Sequence, residues 1–385
     1  MTATQTQLTA AEHARTMAGY IEAGTAAAMA LGNRGPLRLG ADGKLDPAIV
    51  EAYWRTGFYV FEDVIGPEEL ADLRQDVDRA LAAAPAAPDA GSDPRNPSAR
   101  IEGLSRPAYR YAKPLSDPLG GTDLNKGRHP VRMLDPAAAD GAPDWTVNLL
   151  DGNLQLMDAC LRLYGHPGLL AVAEAVNGPD FVPYNEVPFI KEPGLGPSVA
   201  WHQDGTTHWT AEDWDAGAHG FNFMTQLYPS TAANCVWALP GSHARGKADI
   251  KALIAESGSE RLEGAVPMLS GAGDVMILNR QIVHGSFANT SPDRRVTLNA
   301  GFFPLRRVLN VETSNLRGQT LTYTAGRIET RSRIIQLAID ARRQRYPDEP
   351  SYRYAPLAHE AERIRWSETA RAELLRNYNE QDMYI

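Results

Sequence analysis

Cysteine is scarce. Cys160 and Cys235 are the two in 385 residues. That excludes a disulfide framework and a cysteine-rich metal site, and a reducing cytoplasm is expected. Long apolar runs are missing as well: no stretch approaches the roughly 18 residues that would mark a membrane span. The opening MTATQTQLTAAEHARTMAGY has no basic start followed by an apolar core, so no secretory leader is expected. The final QDMYI carries no recognisable address. Positive charge is in deficit, with 38 Lys and Arg against 47 Asp and Glu and a formal net charge of −9. A nucleic-acid partner would normally meet a basic surface, so none is expected. No internal repeat is visible.

What is present is the composition of a globular chain with a real core, 43% apolar and 22% charged. At roughly 100–200 residues per domain, the length allows two or three domains or one elaborated β domain. Residues 1–45 begin as helical text and loosen into the Gly-rich LGNRGPLRLGADGK. A helix, a short strand at FYVFEDV and a second helix follow. Pro67 suits a first helical position, with Glu68 and Glu69 in the first turn. Leu70, Leu73, Val77 and Leu81 then recur at helical spacing.

From Asp93 to Arg132 the chain turns basic. Arg95, Arg100, Arg106, Arg110, Lys113, Lys126, Arg128 and Arg132 face only Asp93, Glu102, Asp117 and Asp123. A long loop of this kind is often a lid or binding segment. Closure over an anionic substrate, with Arg106 and Arg110 as its contacts, stands beside the plainer reading of a solvated charge run. From about Asp180 eight short apolar or alternating stretches appear: FVPYNEVPFIK, SVAWHQD, FNFMTQLY, NCVWALP, AVPML, DVMILN, VHGSF and RVTLNAGFF. Turn clusters such as EPGLGP and LPGSHARG separate them, a pattern that reads as a sandwich or barrel, and eight strands suit a jelly roll. After Val311 the text is helical and Arg-rich, as if to cover the barrel or to support a homodimer contact.

In WHQDGTTHW, residues two apart on a strand share a face, so His202 and Asp204 aim the same way. Two imidazoles and one carboxylate on one face of an octahedron form the ligand set of non-haem Fe(II) oxygenases. Candidates for the third ligand are His208, His219, His243 and His284. His284 is preferred, because a jelly roll can bring an early and a late strand together at its mouth. Taken alone, the HxD pair has a bland alternative, a surface or core histidine.

Four blocks, in order, resemble the phytanoyl-CoA dioxygenase family of Fe(II)- and 2-oxoglutarate-dependent oxygenases. They are YWRTGFYVFEDVIGPEELADLRQDVDRAL, KEPGLGPSVAWHQDG, NCVWALPGSHARG and GDVMILNRQIVHGSFANTSPDRRV. The similarity runs from about residue 50 to 305. The resemblance implies a double-stranded β-helix, a cupin-like jelly roll, with iron held by His202, Asp204 and His284. It implies that 2-oxoglutarate chelates the metal and pairs its distal carboxylate with Arg295, helped by Ser286. Arginine's planar fork matches a carboxylate with two parallel hydrogen bonds. It further implies that O2 oxidises 2-oxoglutarate to succinate and CO2 while an unactivated C–H bond of the substrate is attacked. Related halogenases carry a small residue where Asp204 stands, so the resemblance implies oxygenation.

Other residues are read both ways. Arg294 is expected on the face opposite Arg295, as a solvent-facing charge. Lys191 is set between a carboxylate contact and a solvated lysine. Gln203 should point away from the metal, although the resemblance admits a cosubstrate contact. His208 and Trp209 are candidates for the substrate mouth, and Asn222, with Gln226, for a polar inward face. Trp237 and Phe223 are expected in the core. Asn289 and Ser291 are expected to organise the turn before Arg295.

The sequence thus predicts a mainly β protein with flanking helices. An N-terminal helical extension is expected over 1–45, an oxygenase domain over 46–312 with a basic lid-like loop at about 90–135, and a C-terminal helical extension over 313–385. The expected activity is hydroxylation of a small molecule using Fe(II), 2-oxoglutarate and O2. Rivals are desaturation, epoxidation or ring formation with the same cofactors, a non-catalytic jelly-roll metal binder, and a zinc hydrolase.

Overall fold

A computed structural model describes residues 7–88, 108–314, 318–376, 378 and 385. Arg106, with the first part of the basic stretch, lies outside the described residues.

All eight expected stretches form strands, and they divide between two sheets. In chain order the strands are β1 (Arg34–Pro36), β2 (Phe58–Glu62), β3 (Tyr109–Ala112), β4 (Thr146–Leu150), β5 (Val182–Lys191) and β6 (Val199–His202). Then come β7 (Phe221–Gln226), β8 (Trp237–Ala238), β9 (Val266–Pro267), β10 (Val275–Asn279), β11 (His284–Ser286), β12 (Arg295–Phe303), β13 (Glu312–Ser314) and β14 (Thr320–Thr322). The larger sheet has the order β1-β2-β10-β7-β12-β5-β4-β3, the smaller β6-β11-β8-β9, and β13 and β14 pair by themselves. Four central strands of the larger sheet against the four of the smaller make the jelly roll of a double-stranded β-helix. All pairings within these eight are antiparallel. The inner face is apolar because alternate residues turn toward it. Val60, Met224, Met276 and Leu278 of the larger sheet share one buried cluster with Ala238 and Val266 of the smaller.

The helices are α1 (Ala10–Ala30), α2 (Pro47–Thr56), α3 (Pro67–Ala82), α4 (Asn153–Leu156), α5 (Asp158–Tyr164), α6 (Pro167–Asn177), α7 (Ile250–Ser257), α8 (Ala325–Arg345) and α9 (Glu368–Leu375). A capping box of Thr9 and Glu12 starts α1. The helix then lies over the smaller sheet, where Tyr20 stacks on Trp237 at 4.4 Å between ring centroids. Pro67 opens α3, whose Leu70, Leu73 and Val77 are buried. Trp237 and Phe223 are core residues, as expected.

Two segments depart from expectation. Part of the basic stretch is strand rather than loop: β3 pairs with β4 and widens the larger sheet. The Arg-rich C-terminal helix α8 does pack over the larger sheet, but it is more deeply buried than its charges suggest. Ile334, Ile335, Leu337, Ala338 and Ile339 join the main core, and Arg331, Asp340 and Arg342 are buried with them. Its arginines are engaged within the chain. Arg342 bonds Glu69 at 2.7 Å and Glu349 at 2.9 Å, Arg333 pairs with Glu360, and Arg345 reaches Glu68.

Candidate metal centre and cosubstrate pocket

The two histidines meet because β6 and β11 are antiparallel neighbours with His202 directly opposite His284. Their rings lie 4.1 Å apart between centroids. Asp204 follows the end of β6, and its backbone N–H donates to Arg280 O at 2.7 Å. Gly205 comes next at φ +94°, and a Cβ there would collide with the His219 ring. This turn therefore needs glycine. One donor atom from each of His202, Asp204 and His284 lies within 4.8 Å of the others, and all three residues sit in the interior.

The protonation states suit a divalent cation. Each imidazole has Nδ1 against a carbonyl, His202 at 2.8 Å from Ala200 O and His284 at 3.0 Å from Ile282 O. That fixes the proton on Nδ1 and leaves the Nε2 lone pair for an ion. Burial lowers the pKa of both imidazoles, His202 strongly, so they are neutral. Burial alone would raise the Asp204 pKa, but the Arg128 and Arg280 guanidiniums and the histidines hold it well below the usual carboxylate range. Asp204 Oδ1 accepts from Arg128 Nη1 at 2.7 Å, and Oδ2 accepts from Asn222 Nδ2 at 3.1 Å. Two neutral nitrogens and one ionised oxygen fit a first-row divalent metal.

The triad opens into a cavity of about 180 Å³ between the two sheets, also lined by Arg295, Ser286, Asn222, Arg280, Arg128 and Arg110. Arg295, at the start of β12, is 2% exposed. Its Nη1 donates to Asn234 O at 2.7 Å while its Nε has no partner. Burial lowers its pKa to about 10, so it stays charged near neutral pH. The buried Ser286 hydroxyl also lacks a partner. Buried polar groups are normally satisfied, so these orphan donors fit a carboxylate that enters the cavity.

Several candidate residues are placed elsewhere. Gln203 is a correction: its amide nitrogen donates to Gln281 O at 2.6 Å and Gly246 O at 3.0 Å, and its oxygen accepts from Ala248 N–H at 2.7 Å. With every polar atom bound to backbone, it has nothing to offer a cosubstrate. Lys191 is buried, and its ammonium donates to Phe287 O at 2.6 Å outside the cavity lining. It is neither solvated nor a carboxylate contact. His208 Nε2 lies 2.7 Å from Arg307 O, and Trp209 Nε1 donates to Gly205 O at 3.1 Å. Both pack around His219, away from the mouth that lines the triad. Asn222 does face inward, onto Asp204. Arg110 lines the cavity, but its guanidinium makes two 2.7 Å hydrogen bonds to the buried Asp151. Arg294 leaves the cavity, as alternation implies, and pairs with Asp78 and Glu192.

The sequence did not single out Arg128, His129 and Arg280 as site residues. The first two come from the basic stretch. Asn125, Lys126 and Gly127 all have positive φ, and this left-handed turn feeds Arg128 and His129 into the cavity. His129 stands 4.2 Å from His202 between ring centroids, and burial pushes its pKa down to about 3. The charge run was the one visible signal, and it did not say which residues turn inward.

A family model, phytanoyl-CoA dioxygenase (PhyH), matches residues 53–297. The chain belongs to the phytanoyl-CoA dioxygenase family. The family match contains all of His202, Asp204, His284, Ser286 and Arg295. Phytanoyl-CoA dioxygenase 1 from Oryza sativa subsp. japonica is 31% identical over 119 residues, 28% of this chain and 40% of that protein. The aligned part is thus less than half of that relative's length. Among solved structures, EctD from S. alaskensis with 2-oxoglutarate and 5-hydroxyectoine has a TM-score of 0.48 at 17% identity, over 72% of this chain and 82% of that one. AviO1 from Streptomyces viridochromogenes Tue57 has a TM-score of 0.45 at 22% identity, over 67% of this chain and 94% of that one. At such scores it is the family match that places the chain.

Proposed function

We propose that this phytanoyl-CoA dioxygenase family member is an Fe(II)- and 2-oxoglutarate-dependent oxygenase that hydroxylates a C–H bond of a small molecule. The observation that carries the reading is one cavity holding both a His-Asp-His triad within 4.8 Å and the partnerless donors of Arg295 and Ser286. A plain metal binder has no need of that second feature. A zinc hydrolase would need a general base beside the metal, and Asp204 is the one carboxylate lining the cavity among the described residues.

His202, Asp204 and His284 would hold the iron, and Arg295 with Ser286 the distal carboxylate of 2-oxoglutarate. Iron and 2-oxoglutarate together with O2 supply the oxidising chemistry, with succinate and CO2 as coproducts. Arg128 and Asn222 hold the Asp204 carboxylate in one orientation. Leu149, Phe189, Met224 and Leu278 line the cavity with apolar surface and exclude water from the reacting carbon. Asp204 fills the position that halogenation would need for chloride, which favours oxygen transfer. Cys160 and Cys235 are buried free thiols, in keeping with a reducing cytoplasm.

Oxygen-dependent release of succinate from 2-oxoglutarate, measured with ferrous iron and again after chelation, tests the proposal. Release that stops on chelation and is absent in His284→Ala is expected. Release from the chelated protein and from the variant that matches the iron-loaded wild type would rule the oxygenase out.

A further inference from the structure

Among the described residues, the cavity holds more positive charge than iron and 2-oxoglutarate can use. Arg280 follows β10 in the sequence LNRQIVHG and is 2% exposed, with its guanidinium in the cavity lining. Its Nε and Nη1 are buried and have no hydrogen-bond partner. The guanidinium carbon lies 4.1 Å from the Tyr184 ring centroid and 4.7 Å from the Phe303 ring centroid. Its nearest carboxylate is Asp204, with Nε 3.8 Å from Oδ2, beyond hydrogen-bond length. Arg128 and Asn222 already bond both Asp204 carboxylate oxygens, so Arg280 acts on Asp204 through charge and not through a hydrogen bond.

Charge in the cavity is lopsided. Arg110 is closed off by Asp151. Among the described residues, Arg128, Arg280 and Arg295 then face the single carboxylate of Asp204. A divalent ion and a dicarboxylate entering together cancel each other, so two positive charges remain uncompensated. Leaving a buried guanidinium without an anion is expensive, and a planar fork of donors is shaped for a carboxylate or phosphate.

Resting on the oxygenase reading, the geometry points to Arg280 as the anchor for an anionic oxygen group, carboxylate or phosphate, on the substrate to be oxidised. Asn299, whose side-chain oxygen is buried without a partner in the same lining, offers an acceptor beside that anion for a hydroxyl or amide of the same molecule. Tyr184 and Phe303 pack against the guanidinium, so Arg280 selects a substrate by its charge.

The test uses full-length protein loaded without oxygen with ferrous iron and 2-oxoglutarate. Sodium benzoate and inorganic phosphate are the probes, sodium chloride the control, and both the melting temperature and the iron–2-oxoglutarate absorption band are read. Benzoate answering alone marks a carboxylate site; phosphate answering alone marks a phosphate site. Arg280→Gln is expected to keep the absorption band and to weaken the answering anion by roughly tenfold or more, the scale of a lost charge-assisted hydrogen bond. Arg280→Lys, which keeps the charge without the fork, is expected to recover part of the response. A band intact in Arg280→Gln with the anion response unchanged overturns the anchor and leaves the oxygenase reading standing. The anchor is equally overturned if wild type with its band responds to neither anion beyond its response to chloride. A wild type without the band overturns the oxygenase reading itself, and with it the assignment of Arg280 to a substrate.

Discussion

At the scale of single residues, the site is a set of buried polar atoms sorted by whether they already have partners. Arg295 has a free Nε, so a carboxylate that binds it gains a charge-assisted contact in a dry place. Arg295→Gln should weaken 2-oxoglutarate by about 2–4 kcal/mol, a Kd raised roughly 30- to 1000-fold, measured by calorimetry on iron-free protein with a second divalent ion. Lys191 is the opposite case, committed to Phe287 O and outside the chemistry. Burial and the neighbouring Arg295 lower its pKa well below 10.5. The folded state therefore binds fewer protons than the unfolded state between that lowered value and about 10.4. Stability should rise with pH through that window and lose this contribution as pH falls below it. In Lys191→Met the rise should be shallower by up to about 1.4 kcal/mol per pH unit, measured by urea unfolding at paired alkaline pH values. The metal triad was legible because HxD obeys strand alternation and VHGS lies in a block of its own. Arg128, His129 and Arg280 were not, because which arginines of a charge run turn inward depends on a left-handed turn and on the loop after β10, and neither leaves a period in the sequence.

At the scale of elements, the triad exists because β6 and β11 pair with His202 opposite His284, and a slip of one residue would turn one imidazole away. The eight strands of the jelly roll were readable from short alternating runs between Pro and Gly turns. β3 was hidden because its YRYA sits inside arginine-rich text, and its strand character comes from pairing with β4. The depth of α8 left no mark in the sequence, because its charges imply a wet face, whereas Arg331, Asp340 and Arg342 are buried. The close fit of α8 can be tested at Gly165, just after α5. A Cβ there would collide with the Ala338 carbonyl. Gly165→Ala should cost about 1–3 kcal/mol through overpacking, seen as a lower denaturation midpoint. An unchanged midpoint would mean that the two helices are not in contact.

At the scale of the whole molecule, the family match over 53–297 leaves α1 and α8 outside it, yet both contribute to buried clusters. Met17 of α1 packs with Trp201 and Trp237, and Ile334, Ile335 and Leu337 of α8 pack with α3, α5 and the larger sheet. Residues 46–312 made alone should therefore fail to unfold cooperatively, as read by near-ultraviolet circular dichroism and calorimetry, and a sharp native-like transition would show the flanks to be dispensable. The buried tie between α8 and α3 is the Arg342–Glu69 pair, and Arg342 also holds Glu349. Arg342→Ala would strand two carboxylates and should cost about 3–5 kcal/mol.

The central claim is that one buried site takes both ferrous iron and 2-oxoglutarate. Anaerobic titration of metal-free protein with Fe(II) and then 2-oxoglutarate, followed by visible absorption, tests it most directly. A metal-to-ligand charge-transfer band is predicted to saturate at one equivalent of each and to be missing in His284→Ala. No band in the wild type, or an undiminished band in His284→Ala, would contradict the account.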